Sequence, residues 1–425
     1  MQNISTYISN SKYKKLTSNF SYLVIIEAIN KILPLLVVPY IVNILGIEKY
    51  GILAFSLAII MYFKILTTYS FDLTATKYIS QYREDKDKIS QYYWTVLFTK
   101  FFLLLISFSI LIISLTLFET LNQERVVLLF TFLMVIGEVM TPLWFFRGIE
   151  EMKYVAYLSV ITKILYTASI FLIIKNENDY PIVALLSSLS HIIVGVIALY
   201  YIYRKFNITF YRPKLKEILY LIEEGKDIFL SKLSVSLYST TNNILLGFLA
   251  GYTAVGIYSI ANTIYGAFLQ LVYVYNTVVY PYLAKYLKDK QEFLIQAKKL
   301  LALYIILLII SSILLYSSSE FIIELLFGKN NKETIEVLNI MALALIITPI
   351  GGYLTHFLAL KSEYKTIRKI TFYTMIINFI FVYPMIITYE EKGIVYLMII
   401  VSLSQILLHL KYNQELFSSL KRKNI

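Results

Sequence analysis

Residues 19–45 read NFSYLVIIEAINKILPLLVVPYIVNIL, a stretch with only two charges, Glu27 and Lys31. A helix crosses the hydrocarbon core of a bilayer with about 20 mainly apolar residues, so this run is long enough. A cleaved leader has a shorter apolar core and a small-residue cleavage site, and this segment has neither; it is expected to be a retained first helix. A cation at the bilayer centre costs ~2.5–3.5 kcal/mol on insertion scales, so Lys31 needs a reason. Glu27 lies one turn before it, in the favourable Glu-to-Lys order. The two either neutralise each other for insertion, or form a cavity cation tuned by an acid. Pro34 and Pro39 each remove a backbone donor and can bend the helix, as a hinge or as a fixed kink.

The rest of the chain repeats this pattern. Of its 425 residues 58% are hydrophobic and 16% are charged, and the mean hydropathy is +0.68. A soluble fold cannot hide so much apolar surface; soluble chains carry roughly 25% charged residues. Twelve apolar runs are expected to cross a membrane, at roughly 20–45, 51–70, 92–117, 126–146, 154–174, 181–203, 228–250, 254–281, 300–318, 335–360, 370–388 and 393–412. They are continuous and do not alternate at period two, which excludes a β-barrel. The fold class is therefore all-α and polytopic. The chain has no cysteine and three histidines, so no thiolate chemistry, disulfide or histidine metal motif is expected. Without a GxxxxGK[ST] stretch, direct use of ATP is not expected either.

Lysine and arginine in the gaps set the orientation. With the N-terminus inside, 28 of the 39 fall in cytoplasmic segments and six in outside segments. Both termini are then cytoplasmic, and the basic balance reflects topology, with no nucleic acid as partner. The chain also repeats weakly. Gly46-x4-Gly51-Ile52 recurs as Gly251-x4-Gly256-Ile257, and Thr141-Pro142 recurs as Thr348-Pro349. Two anchors at nearly one offset point to parallel six-helix halves. The expected organisation is a bundle over 1–203, a basic cytoplasmic linker over 204–227 and a second bundle over 228–425.

Five lysines fall inside runs: Lys31, Lys64, Lys100, Lys163 and Lys232. Lys163 and Glu138 lie near the centres of their runs. They either pair with each other, or leave Lys163 free for an anion and Glu138 as a protonatable coupling site; Glu27 is the other coupling candidate. Lys100 and Lys232 lie near cytoplasmic boundaries and are expected to snorkel to the headgroups. Lys64 could do either. His191 reads as a packing residue. Asn242 and Asn243, preceded by two threonines, serve either helix–helix hydrogen bonding or contact with sugar hydroxyls.

Several segments together resemble bacterial polysaccharide flippases of the O-antigen type. The pieces are the segment following Leu33 (LPLLVVPYIVNILGIEKYGILAF), TPLWFFRGIEEMKY from Thr141, STTNNILLG from Ser239 and GIYSIA from Gly256. The Thr141 segment is the most specific, and Arg147 and Glu150 belong to it, at the cytoplasmic mouth of its helix. The resemblance implies a MATE-like fold of twelve helices in two six-helix bundles around a central cavity, in the bacterial inner membrane. It implies transfer of undecaprenyl-diphosphate-linked oligosaccharide units to the periplasmic leaflet, with no cofactor and no enzymatic step. Partners would be that lipid-linked oligosaccharide, the bilayer, and a polysaccharide polymerase and chain-length regulator. The candidate cavity residues are Lys31, Lys64, Glu138, Arg147, Lys163, Asn242 and Asn243. A drug exporter of the same superfamily would favour acidic cavity residues, against five lysines and two glutamates here. A membrane polymerase would offer a large outside loop with catalytic groups.

Overall fold

Glycine decides where the long apolar runs turn. In the computed structural model Gly46 has φ +81° and ψ 167°, and Gly251 has φ +86° and ψ 176°. That region of backbone space is essentially open to glycine alone. The two turns lie 205 residues apart, so the repeat noticed in sequence has a physical basis: each is the place where one helix ends and the next begins.

The structure describes the backbone of residues 2–328 and 331–412, and the side chains of 33–412 apart from 238, 239, 271, 277, 329 and 330. Every long element is helical: α1 Gln2–Thr68, α2 Phe71–Gln81, α3 Lys86–Leu117, α4 Glu119–Gln123, α5 Arg125–Met140, α6 Leu143–Gly148, α7 Met152–Ile173, α8 Tyr180–Phe206, α9 Leu215–Ser239, α10 Thr241–Ala284, α11 Lys290–Phe327, α12 Lys332–Leu360 and α13 Tyr364–Tyr412. Among the described residues there is no strand, and nine helical stretches are long and apolar enough to cross a membrane. Three of these contain a non-helical residue, Gly46, Gly251 or Glu390, at which two helices join. Starts are capped where the sequence offers an acceptor. The Asp85 side chain takes Lys88 N at 3.1 Å at the start of α3, and Asn331 takes Thr334 N at 3.1 Å at the start of α12.

The chain divides into two compact units, Met1–Thr240 and Thr241–Ile425. The basic stretch 204–227 lies within the first. In that unit α5 packs along α8, α1 lies against α7 and α5, and α2 holds α6. The α5–α8 approach is close: a methyl group on Gly137 would stand 2.5 Å from the His191 backbone, and one on Gly195 2.7 Å from Met140 Cβ. Small residues at such crossings let membrane helices meet through their backbones. In the second unit α12 packs against α10, α11 and α13.

The exterior of the helices is as apolar as their interior, and the hydroxyls turn inward. Helix α3 buries Ser90, Thr95, Thr99, Lys100 and Ser107 and exposes Phe101, Leu105, Ile113 and Leu117. Helix α11 buries Ser311, Ser312 and Ser319 and exposes Ile306, Ile310, Ile313 and Leu325. Lipid covers such an apolar exterior at no cost, whereas hydroxyls must turn inward to find partners. The protein is a multi-pass membrane protein.

Candidate functional site

The charged interior of the first unit is organised by a proline. Pro142 has no N–H, so the carbonyl four residues earlier, that of Glu138, loses its helical donor. Helix α5 stops at Met140 and α6 starts at Leu143. Thr141 N reaches the Glu138 carbonyl at 3.3 Å. The second donor comes from another helix: Lys100 Nζ, on α3, reaches the same oxygen at 3.1 Å. Lys100 is 3% exposed. A membrane helix broken by proline stays satisfied only when a neighbour supplies what the backbone has lost, and here that neighbour is a lysine.

The Glu138 carboxylate is used separately. Lys64 Nζ, from α1, lies 3.3 Å from Glu138 Oε2, with side-chain exposures of 32% and 22%. From α8, His191 donates Nδ1–H to the Ser187 carbonyl at 2.8 Å, the local packing bond expected of it. Lys163, on α7, is half-buried and has no hydrogen-bond or ion-pair partner among the described residues. It lies close enough to Lys64 for the two charges to interact. Two lysines thus meet Glu138, and a third, Lys163, lies in the same unit.

Some expectations need correction. Lys100 does not snorkel: it is buried and spans two helices to reach a carbonyl. Lys232 turns instead to α2, paired with Asp72 and donating to the Tyr69 carbonyl at 3.0 Å. Glu138 pairs with Lys64, not with Lys163. The Lys100 contact had one signal in the sequence, the Glu138–Pro142 spacing, which announces an orphaned carbonyl without naming its donor. Lys31 and Glu27 lie outside the residues whose side chains are described.

The Thr141 segment divides into two parts. Trp144, Phe145, Phe146 and Gly148 are buried. Thr76 Oγ1, on α2, donates to the Trp144 carbonyl at 3.2 Å, and a methyl group on Gly148 would stand 2.6 Å from Ile79 Cβ. This part locks α6 onto α2. Arg147 is exposed, and Glu150, also exposed, lies 3.7 Å from Arg83 Nη1.

In the second unit the equivalent positions are neutral. Thr348-Pro349 lies inside α12, which continues through the proline. The residue 207 positions after Glu138 is Leu345, fully buried. Tyrosines occupy the space around the proline. Tyr265 Oη is 2.7 Å from Thr348 Oγ1, Tyr304 Oη donates to the Pro349 carbonyl at 3.4 Å, and Asn276 Nδ2 donates to Tyr304 Oη at 3.1 Å. Asn242 and Asn378 exchange amide hydrogen bonds of 3.2 and 3.1 Å across two helices, which occupies Asn242 in packing. Asn243 is half-buried. Among the described residues no group of acidic or histidine side chains is arranged to hold a metal ion.

Broken apolar helices in two units are the architecture of a multi-pass membrane protein. Among solved structures the chain resembles the lipid II flippase MurJ in an inward closed conformation, with a TM-score of 0.73 and 16% identity, covering 93% of this chain and 87% of that one. It also resembles a multidrug resistance MATE transporter of the MOP superfamily in an inward-facing conformation, with a TM-score of 0.66 and 15% identity, covering 92% and 96%. Residues 16–287 match the polysaccharide biosynthesis protein family, and the chain belongs to it. It is 27% identical to a protein of Escherichia coli (strain K12) named "Putative O-antigen transporter", over 90% of this chain and 93% of that one. A protein of the same name from Shigella dysenteriae is 24% identical over 89% and 94%.

Proposed function

We propose that this protein is a flippase that moves undecaprenyl-diphosphate-linked oligosaccharide repeat units from the cytoplasmic to the periplasmic leaflet of the bacterial inner membrane. The observation that carries the reading is the excess of cations inside the first unit, with Lys163 unpaired among the described residues. The diphosphate is anionic, and a half-buried ammonium without a carboxylate partner keeps its charge available to it. The polyprenyl tail stays in lipid while the headgroup crosses by alternating access. No covalent step is required, so the protein acts as a transporter and not as an enzyme. Twelve crossings with both termini cytoplasmic fit the nine long stretches once the breaks at Gly46, Gly251 and Glu390 are counted as turns. Glu138 is the coupling candidate, held between Lys64 and the Lys100-capped break. A polymerase and a chain-length regulator would act on the product outside.

The MurJ likeness and the relatives named as O-antigen transporters support a lipid-linked glycan as cargo. A cationic drug, by contrast, would meet three lysines. The test is to delete the gene in its host and fractionate undecaprenyl-linked oligosaccharides. Single repeat units should accumulate facing the cytoplasm, and surface polymer should be lost. Units that reach the periplasm unpolymerised, or a normal polymer, would rule the reading out.

A further inference from the structure

A second polar feature of the first unit lies away from the charged interior. Helices α2, α3 and the start of α9 enclose an open groove of ≈ 460 Å³, within the ~300–1,000 Å³ typical of small-ligand pockets. Both flanking segments, 71–91 and 204–227, are the ones whose lysines and arginines assign them to the cytoplasmic side.

Its floor is aromatic. Tyr78 and Tyr92 stack with ring centroids 3.8 Å apart and planes 8° apart. Tyr220 also lines the groove and is 65% exposed. One acid on the rim is already committed. Glu217 accepts from Gln91 Nε2 at 3.1 Å, from Tyr211 Oη at 2.8 Å and from Lys214 N at 2.7 Å. That carboxylate in turn raises the Tyr211 phenol above its usual range. Lys216 and Glu224, by contrast, line the groove with no hydrogen bond or ion pair among the described residues.

The lining carries Lys214 and Lys216 against Glu217 and Glu224, so its charges balance and it does not select a phosphate. It offers instead an exposed phenol ring, a free carboxylate and a free ammonium. That set matches a sugar ring, whose C–H face lies on an aromatic and whose hydroxyls both donate and accept. We propose that this groove is a saccharide-binding site, which holds sugar residues of the lipid-linked substrate on the cytoplasmic side before they reach the cationic interior. The identity of the cargo rests on the function proposed above; the class of ligand rests on the groove alone.

The test uses the full-length protein in phosphatidylcholine nanodiscs. The probe is the repeat-unit oligosaccharide obtained by hydrolysing the glycosidic bonds between repeats of the host's surface polymer, free of lipid and phosphate. Calorimetric titration should show binding, weakened about tenfold by Tyr220→Ala and by a smaller factor by Glu224→Gln. Both side chains are exposed, so melting temperatures should match the unsubstituted protein and inorganic phosphate should not compete. Absence of binding, equal binding by both variants, or binding only of phosphate or only in phosphatidylglycerol nanodiscs would each overturn the proposal; the last two would point to a headgroup site. The deletion experiment separates the two proposals. If cytoplasmic units accumulate and yet both variants bind normally, the flippase reading stands and the groove fails. If no units accumulate but Tyr220→Ala loses the oligosaccharide, the groove is a glycan site on a protein with another cargo.

Discussion

The two units surround the same dipeptide with different chemistry. Each carries a Thr-Pro inside an apolar segment, and each must satisfy the polar groups around it away from water. In the first unit, α5 breaks at Thr141-Pro142 and Lys100 caps the freed Glu138 carbonyl. In the second, α12 runs on through Pro349, with Tyr265 on Thr348 and Tyr304 on the Pro349 carbonyl. A phenol supplies a donor without a charge, whereas a lysine supplies a donor with one. The neutral solution closes a helix crossing. The charged one also places Lys64, Lys100 and Glu138 together inside the protein. The lesson is that an internal repeat can preserve backbone geometry while the side chains around its Thr-Pro differ, charged in one half and neutral in the other.

Exchanging the chemistry should break the comparison most severely. Leu345→Glu would place a carboxylate at a fully buried position of α12, and an uncompensated buried charge costs about 3–5 kcal/mol. Failure to recover folded protein in detergent is expected, measured by size-exclusion profile and melting temperature; a well-folded Leu345→Glu protein would mean that α12 can host charge beside its Thr-Pro. Next come the glycine turns, where the halves are alike. Gly46→Ala and Gly251→Ala should each lower stability by about 1–3 kcal/mol, because a side chain cannot rest at these angles. Unequal losses in chemical denaturation would show that the repeat is only nominal.

Lys100→Met should cost about 1–3 kcal/mol by leaving the Glu138 carbonyl with a poorer set of donors. Lys100→Arg, which retains a donor, should recover part of it. Tyr265→Phe, in the other unit, removes one neutral hydroxyl bond and should cost about 0.5–1.5 kcal/mol. Equal effects for Lys100→Met and Tyr265→Phe would erase the distinction between charged and neutral solutions. The smallest change in stability should come from Lys163→Ala, within about 0.5 kcal/mol, since no partner among the described residues is lost. Its expected effect is on transport: the variant should fold yet fail to restore surface polymer in the deletion strain. Full complementation would remove Lys163 from the path.

Much of the fold was legible in the chain because it follows from local composition. Apolar runs of membrane length, the bias of lysine and arginine to one side, and the recurrence of Gly46 at Gly251 need no tertiary information. The glycine anchors in particular were informative, since a backbone conformation open only to glycine leaves its mark on sequence. The site was only half legible. That lysines lie within apolar runs was plain, but which acid each meets was not. Depth along the run set Lys100 apart from Lys163 but misjudged its fate: Lys100 is consumed by a carbonyl, whereas Lys163 has no partner among the described residues. For Asn242 the sequence left helix–helix bonding and sugar contact both open; its partner, Asn378, lies 136 residues away.

The sequence by itself determined that this chain crosses a membrane many times, that it repeats, and that it carries cations where lipid would reject them. Helical length, hydrophobicity and glycine permissiveness are properties of consecutive residues. Only the tertiary structure decided which of those cations meets a carbonyl or carboxylate and which has no partner among the described residues. Partner choice depends on rotation and depth of separate helices, set by packing such as the close approach of α5 and α8 at Gly137 and Gly195.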